Sequence, residues 1–593
     1  LPEFRAVQGE KTMTRYGEIV NPRVTSQSEQ AREDQVKNRA GGYVWQVDCW
    51  TSLDRFLILG AEGSTYYVGE KKLVKENAKA IGECLKQDGI RTVKRIAEIS
   101  QAGRAVKNDP AVFCLAMAAG HSDNEVRKAA LQALPKVCRI GTDLFNFAAD
   151  VENFRRWGRA LRNAVANWYL DKPADKLALQ LVKYQQRNGW SHKDLLKLSH
   201  ANPFELVRRD PEMDSGAYQA LFRWVTQDGS LEAREVLRKG QKKDSRMDSY
   251  EELNREALPK LVHGFEAVQL AESKAEVIKL IHEYWLSHEM LPTQWKKEPE
   301  IWEALLDRGL PMTALTRNLG VMTACGLIKP MSAASKKVAE QFANEEAIRK
   351  SRLHPMKILI AMKQYQSGHG DKGKLSWSPV TQVIDAMDSA FYTAFKSVQP
   401  TGKNYLLALD VSGSMGSAIQ GCGTLTCREA AAAMAMVTAK LEQNWQVIGF
   451  TCESGGGWGW GSRNNSSSDP DSGVTVLNIS PKMRLDQVCE VTARQDFGGT
   501  DCSQPMLYAL KHKIEVDTFM VYTDNETWAG RMQPFQALRK YRQEMGRQAR
   551  LIVCGLTSDK FTIADPRDPG MLDICGMDTS VPDLISSFSK GEF

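Results

Sequence analysis

Asn404-Tyr-Leu-Leu-Ala-Leu-Asp410-Val-Ser412-Gly-Ser414-Met415 decides the fold of the C-terminal third of the chain. Residues 404–410 form an apolar run too short for a helix and without polar alternation. That pattern predicts a strand covered on both faces. It ends in Asp410 and a Gly/Ser turn. Similar runs follow at 446–451 (QVIGFT), 517–523 (DTFMVYT) and 551–555 (LIVCG), with helical stretches at 428–442, 506–511 and 535–544. Strands alternating with helices predict an α/β, doubly wound parallel sheet over 401–593. Within it, 453–473 (ESGGGWGWGSRNNSSSDPDSG) is rich in Gly, Ser and Asn. It lacks the apolar residues to build a core and is expected to be a flexible surface insert.

Ligands of doubly wound sheets gather at the carboxyl ends of the strands. Three polar clusters fall there: Asp410-Val-Ser412-Gly-Ser414, Gly498-Gly-Thr500-Asp501, and Thr523-Asp524-Asn525-Glu526. Together they supply an all-oxygen donor set suited to a hard divalent metal such as Mg2+. The plainer reading is a strand–turn–helix with ordinary capping Ser and Asp side chains. The order of the clusters resembles a von Willebrand factor A domain with a metal-ion-dependent adhesion site. That resemblance implies Ser412, Ser414 and Thr500 as direct ligands. Asp410 and Asp524 would act through water and hydrogen bonds, with one position left for a partner's carboxylate. Catalysis is not expected. The chain has no G-x-x-x-x-G-K-[ST] loop, and His288 lies six residues after His282-Glu283, which breaks zinc-protease spacing. Ser412 and Ser414 have no evident base.

Residues 1–40 lack periodicity and read as a loosely held polar arm, bounded at 1–41. From 42 to 400 the pattern is helical, with apolar residues at i, i+3 and i+4 in 77–86, 111–119, 124–137, 176–185, 192–198 and 300–306. Ser122-Asp-Asn-Glu125 has capping-box form before 126–134, and Pro135 follows that run. Helical hairpins of this kind predict a HEAT-like solenoid, with a compact bundle as the alternative.

The 593 residues carry 42% apolar and 25% charged side chains, which fits a multidomain globular chain rather than a disordered one. No apolar run approaches the ~20 residues of a membrane span, and the first forty residues contain no signal-type apolar core. Twelve scattered Cys without a C-x-x-C pair read as reduced thiols of a cytoplasmic protein. The net charge of +6 is uneven: 60 Lys and Arg face 50 Asp and Glu before residue 401, and 18 face 22 after it. A polyanion partner would belong to the first part; ordinary surface charge is the bland reading.

Arg155-Arg156-Trp157-Gly-Arg159-Ala-Leu-Arg162 packs four Arg and a Trp into eight residues, and on one helix Arg155, Arg159 and Arg162 would share a face. Lys183-Tyr-Gln-Gln-Arg187-Asn-Gly-Trp190-Ser-His192-Lys193-Asp follows, with a helix stop at Asn-Gly and a new helix at Ser191. Arg and Lys suit phosphates; Trp, Tyr and His can stack on bases. Lys363-Gln-Tyr365 to Trp377 repeats the theme of Gly, His, Lys and Trp after a helix. Core tryptophans, a turn-capping His192 and solvated charges are the plain alternatives.

Five longer words, 42–47 (GYVWQV), 187–196 (RNGWSHKDLL), 315–320 (LTRNLG), 354–360 (HPMKILI) and 524–527 (DNET), occur in one order. Together they resemble the Ro ribonucleoprotein autoantigen family, a TROVE module followed by a von Willebrand A domain. The resemblance covers about 42–590. It implies an all-α ring of HEAT-like repeats closed by the A domain, whose basic hole takes single-stranded ends of misfolded small RNAs. It further implies Y RNA on the outer surface, polynucleotide phosphorylase as a partner in bacterial relatives, and a role in RNA quality control. His192 leads the implied RNA contacts, with Lys183, Arg187, Trp190 and Lys193. Arg155, Arg156, Arg159 and Arg162 rest on charge and spacing. The chain is expected to act as a monomer away from membranes. The competing expectation is a protein-interaction scaffold built on the A domain. The 453–473 insert and the N-terminal arm depart from the family pattern.

Overall fold

The computed structural model of the chain describes residues 24–60, 79–209, 215–228, 254–370, 374–395, 398–419, 425–452, 473–494, 498–557 and 560–592. The expected flexible insert lies outside these residues except for Gly473, whose carbonyl accepts from Thr451 N at 2.8 Å. Residues 1–23 of the arm also lie outside them.

The C-terminal part is a six-stranded sheet. Its spatial order is Met571–Cys575, Arg550–Gly555, Thr518–Thr523, Asn404–Asp410, Asn444–Phe450 and Val474–Val476. All pairings are parallel except the last edge strand, which runs antiparallel. From Asn404–Asp410 the chain first builds outward on one side and then returns to build on the other. The switch point therefore falls at the carboxyl end of that strand, beside Asp410.

Side chains of Asn404–Asp410 alternate between two cores. Leu406 and Ala408 join Phe519, Val521, Leu538 and the N-terminal Val44 and Trp45. Tyr405, Leu407 and Leu409 join a core that continues without a break through the helical region. Full burial on both faces explains the unbroken apolar run.

From Cys49–Leu59 to Thr381–Thr393 the chain is predominantly helical, and helices pack on their near neighbours in sequence. Helix Lys79–Ala102 is longer than the 77–86 pattern predicts and kinks at Asp88. Gly89 follows the kink because a Cβ there would strike Val126. Helix Asn124–Val137 is capped by Asp123, not Ser122, and continues through Pro135 into its last turn. The helical array returns on itself: His354 Nε2 lies 3.2 Å from the Arg104 carbonyl, 250 residues away. The A domain joins both ends, through Arg55–Asp573 (2.6 Å) and Arg104–Asp578 (3.1 Å) on one side and Lys363–Glu429 (2.5 Å) on the other.

The described part of the arm is not loosely held. Gln35–Lys37 pairs with Tyr43–Gln46, which pairs with Phe561–Thr562 of the A domain. Buried Gln27, Gln35 and Asn38 supply amide hydrogen bonds to that domain, so polarity here marks partnered side chains rather than solvent.

Candidate functional site

The basic and aromatic stretches meet on one surface. Gly158, extended at ψ 173°, starts helix Arg159–Leu170 and leaves Trp157 just before it. Gln186–Arg187 and Trp190–Ser191 form a two-residue hairpin. Its turn residues Asn188 (φ 51°) and Gly189 (φ 79°) have the positive φ that this tight turn demands. Ser191 and Asp194 cap helix His192–Ser199 reciprocally. The hairpin brings Trp190 to Trp157, ring centroids 5.5 Å apart, both partly buried. Around this pair Arg156, Arg159 and Arg187 are exposed, and none of them has an ion pair among the described residues.

Other expected contacts are placed differently. Arg155 precedes the helix, so it cannot share a helical face with Arg159 and Arg162. Its guanidinium donates to the Ala119 carbonyl at 2.9 Å. Arg162 is half-buried. Lys183 is paired with Glu289 at 3.1 Å, and Lys193 is half-buried at the start of its helix.

His192 is the main correction: at 2% exposed it presents no ring face to a ligand. Nδ1 lies 2.9 Å from the Tyr169 hydroxyl and Nε2 3.3 Å from the Gln180 carbonyl. Phe145, Trp168 and Tyr169 surround the ring. Gly141 leaves room for it, since a Cβ there would lie 3.0 Å from Nε2. Burial pushes the imidazole pKa down to about 4, so it is neutral at physiological pH. It holds the hairpin and its following helix against helix Gly141–Val151.

A cavity of about 690 Å³ lies where the first helices approach the last. Lys107 and Arg139 enter it from one side, and Arg317 and Lys357 from the other. Trp377 stacks on Tyr365 at 6.3 Å and contributes to its apolar wall. Burial raises the Asp143 carboxyl on the same wall to about pKa 6, so it still carries negative charge at neutral pH.

At the sheet's switch point Asp410, Ser412, Ser414, Thr500 and Asp524 are all buried. Ser412 N donates to Asp410 Oδ1 (2.9 Å), and the hydroxyls of Ser412 and Ser414 are 3.1 Å apart. Thr523 Oγ1 donates to Asp410 Oδ2 at 2.7 Å. Arg428 donates to the carbonyls of Val411 and Ser412 and fixes the loop from beneath. Burial pushes the Asp410 carboxyl above its usual range, as expected for a carboxylate taken from water. Three neutral hydroxyls with two carboxylates fit the donor chemistry of a hard divalent cation. Ser412, Ser414 and Thr500 would hold it, with Asp410 and Asp524 behind.

Both parts of the chain match known protein families. The TROVE domain profile matches residues 36–364, and the Ro60 vWA domain profile matches 404–589. The chain belongs to the Ro60 family. It is 34% identical over 617 residues to the RNA-binding protein RO60 of Caenorhabditis elegans, covering 96% of this chain and 92% of that protein. It is 36% identical over 576 residues to the protein of the same name from Deinococcus radiodurans, covering 97% and 98%. The crystal structure of the Deinococcus radiodurans RO (RSR) protein superposes with a TM-score of 0.64 at 35% identity, over 92% of this chain and all of that one.

In this Ro60-family member the two candidate sites also involve residues to which no motif assigns a role. Thr523, Arg428 and Gln27 bond to the loops that carry Asp410, Ser412 and Thr500, and Lys107, Arg139, Arg317 and Lys357 line the cavity. The cavity cations are isolated in sequence and become neighbours only when the helical array returns on itself. No helix among the described residues is long and apolar enough to cross a membrane.

Proposed function

We propose that this Ro60-family chain is a non-catalytic RNA-binding protein of a small ribonucleoprotein. The observation that carries this reading is the group of exposed Arg156, Arg159 and Arg187 around the Trp157–Trp190 pair. Exposed cations with no ion pair among the described residues suit phosphates, and an adjacent aromatic pair suits an unstacked base. The names of the two relatives support the same class of ligand.

In this reading structured RNA of the Y RNA type lies on the outer basic surface. The single-stranded end of a misfolded or immature small RNA enters the cavity at Lys107, Arg139, Arg317 and Lys357. Phosphates are held by these cations, and the apolar wall with Trp377 excludes water from a base. The protein sorts RNA for maturation or decay, and the chemistry belongs to a separate exoribonuclease such as polynucleotide phosphorylase. Mg2+ at Ser412, Ser414 and Thr500 would present a positive site to an acidic side chain of a partner. We place the working form as a cytoplasmic monomer.

The test is equilibrium binding of a small structured RNA with and without a single-stranded 3′ tail, in EDTA and separately in Mg2+, with RNA integrity followed on gels. Tail-dependent binding without scission supports the reading. Absence of RNA binding at low salt, or magnesium-dependent scission, overturns it.

A further inference from the structure

The two loops that complete the metal face, 500–503 and 523–530, are held together by the N-terminal segment. Gln27 lies fully buried between them. Its Nε2 donates to Asp501 Oδ1 at 2.6 Å, next to Thr500. Its Oε1 accepts from the Thr527 hydroxyl and from Gly530 N. Its main chain is fixed as well, with N donating to the Gly530 carbonyl at 2.9 Å and O accepting from Tyr43 N at 2.8 Å.

A second set of bonds grips the same loop from the other side. Asn38 Nδ2 donates to the Thr527 carbonyl at 2.8 Å. Ala40 N donates to Glu526 Oε2 at 3.0 Å, and Glu526 N donates to Asp524 Oδ1 at 3.1 Å. Gly42 lies so close that a Cβ would sit 1.9 Å from the Thr527 carbonyl oxygen. The loops also meet directly: Trp528 N and Ala529 N both donate to the Thr500 carbonyl at 3.1 Å.

We propose that Gln27 and Asn38 are positioning residues for the metal face: the N-terminal segment sets how Thr500 and Asp524 stand relative to Ser412 and Ser414. The inference rests on the metal reading above. The physical reason is that a small cation needs its oxygens at fixed separations, and groups behind the ligands supply that order. The three ligand loops are separate in sequence: two leave the strands Asn404–Asp410 and Thr518–Thr523, and the third leads into helix Gln504–Lys511. Gln27 bridges two of them with one planar amide whose donor and acceptor ends are both in use. The segment runs on through Tyr43–Gln46 into helix Cys49–Leu59, whose Arg55 pairs with Asp573. The metal face is thereby tied to the first helix of the RNA-binding module.

The experiment measures Mn2+ affinity by electron paramagnetic resonance on the full chain. Wild type is compared with Gln27→Met, Asn38→Ala and Arg32→Gln. Gln27→Met keeps the volume and removes the amide. Arg32→Gln loosens the same segment at its contact with Asp565, away from both loops. Gln27→Met and Asn38→Ala are each expected to weaken Mn2+ by roughly tenfold or more, and Arg32→Gln by less than about twofold. In the ion-free protein, amide exchange at Trp528 and Ala529 is expected to quicken in Gln27→Met and not in Arg32→Gln. Should Gln27→Met not fold, Asn38→Ala carries the same test. Affinity unchanged in the loop-contacting variants, or lowered equally in all three, would overturn the proposal and leave the metal reading intact. A wild-type chain that retains no Mn2+ would remove both.

Discussion

The Tyr169 hydroxyl lies 2.9 Å from His192 Nδ1, inside a box formed with Phe145 and Trp168. This contact turns His192 from a ligand-facing residue into a structural one. His192→Ala empties a buried aromatic-lined space and strands the Tyr169 hydroxyl, so a loss of about 2–4 kcal/mol is expected. Chemical denaturation would read it. A variant of wild-type stability with abolished RNA binding would restore His192 as a direct contact.

The same burial has a pH signature. His192 and His354 both have folded-state values near 4 because burial disfavours the charged ring. The unfolded chain, with His near 6.5, binds more protons between those values. Stability is therefore full above about pH 6.5 and falls as pH drops toward 4, by up to about 3 kcal/mol per residue. Thermal melts from pH 7.5 to 4.5 would show the slope. His192→Gln should flatten it, and an unchanged slope in that variant would assign the titration elsewhere.

The junction of the two domains depends on a desolvated charge. Arg55 is fully buried and donates twice to Asp573, at 2.7 and 2.6 Å, and once to the Phe561 carbonyl at 2.8 Å. Asp573→Ala removes the carboxylate that this buried guanidinium donates to twice and should cost about 3–5 kcal/mol. Arg55→Met should cost less, because it removes the buried charge and keeps the volume. Equal costs in denaturant titrations would argue against this account of the junction.

Much of this fold is legible in the amino-acid sequence. The strand at 404–410 matches to the residue because a doubly buried strand needs an unbroken apolar run. The Asn-Gly turn and the Ser191 cap are local chemistry, and local chemistry is what sequence spacing reports. His192 was readable too. It is buried with Leu195, Leu196 and Ser199, at i+3, i+4 and i+7, on the inward face of its helix. The N-terminal segment was not, because Gln27 and Asn38 find their partners some 500 residues away through amide groups that leave no hydrophobic period. Arg155 and Arg159 looked like helix neighbours until Gly158 set the helix start between them.

Removing a divalent ion from the proposed site should leave RNA binding in place, since Trp157, Trp190 and the three arginines stand apart from the sheet's switch point in the contacts they make. Ser412→Ala with Ser414→Ala removes two hydroxyl donors from the metal face. This double variant is expected to lose Mn2+ binding while keeping its melting temperature within a few degrees and its RNA affinity within about twofold. RNA affinity that fell with the metal would show that the two faces are coupled.

The most direct test of the central claim is the salt dependence of RNA binding. Each lost phosphate contact should lower the slope of log K against log salt by about 0.7–0.9. Wild type and the triple variant Arg156→Gln, Arg159→Gln, Arg187→Gln would be compared by fluorescence anisotropy on one small structured RNA across a salt series. The triple variant is expected to bind more weakly, with a slope shallower by about 2–3. Wild-type affinity and slope in that variant would contradict it, and would move the RNA to another face of the molecule.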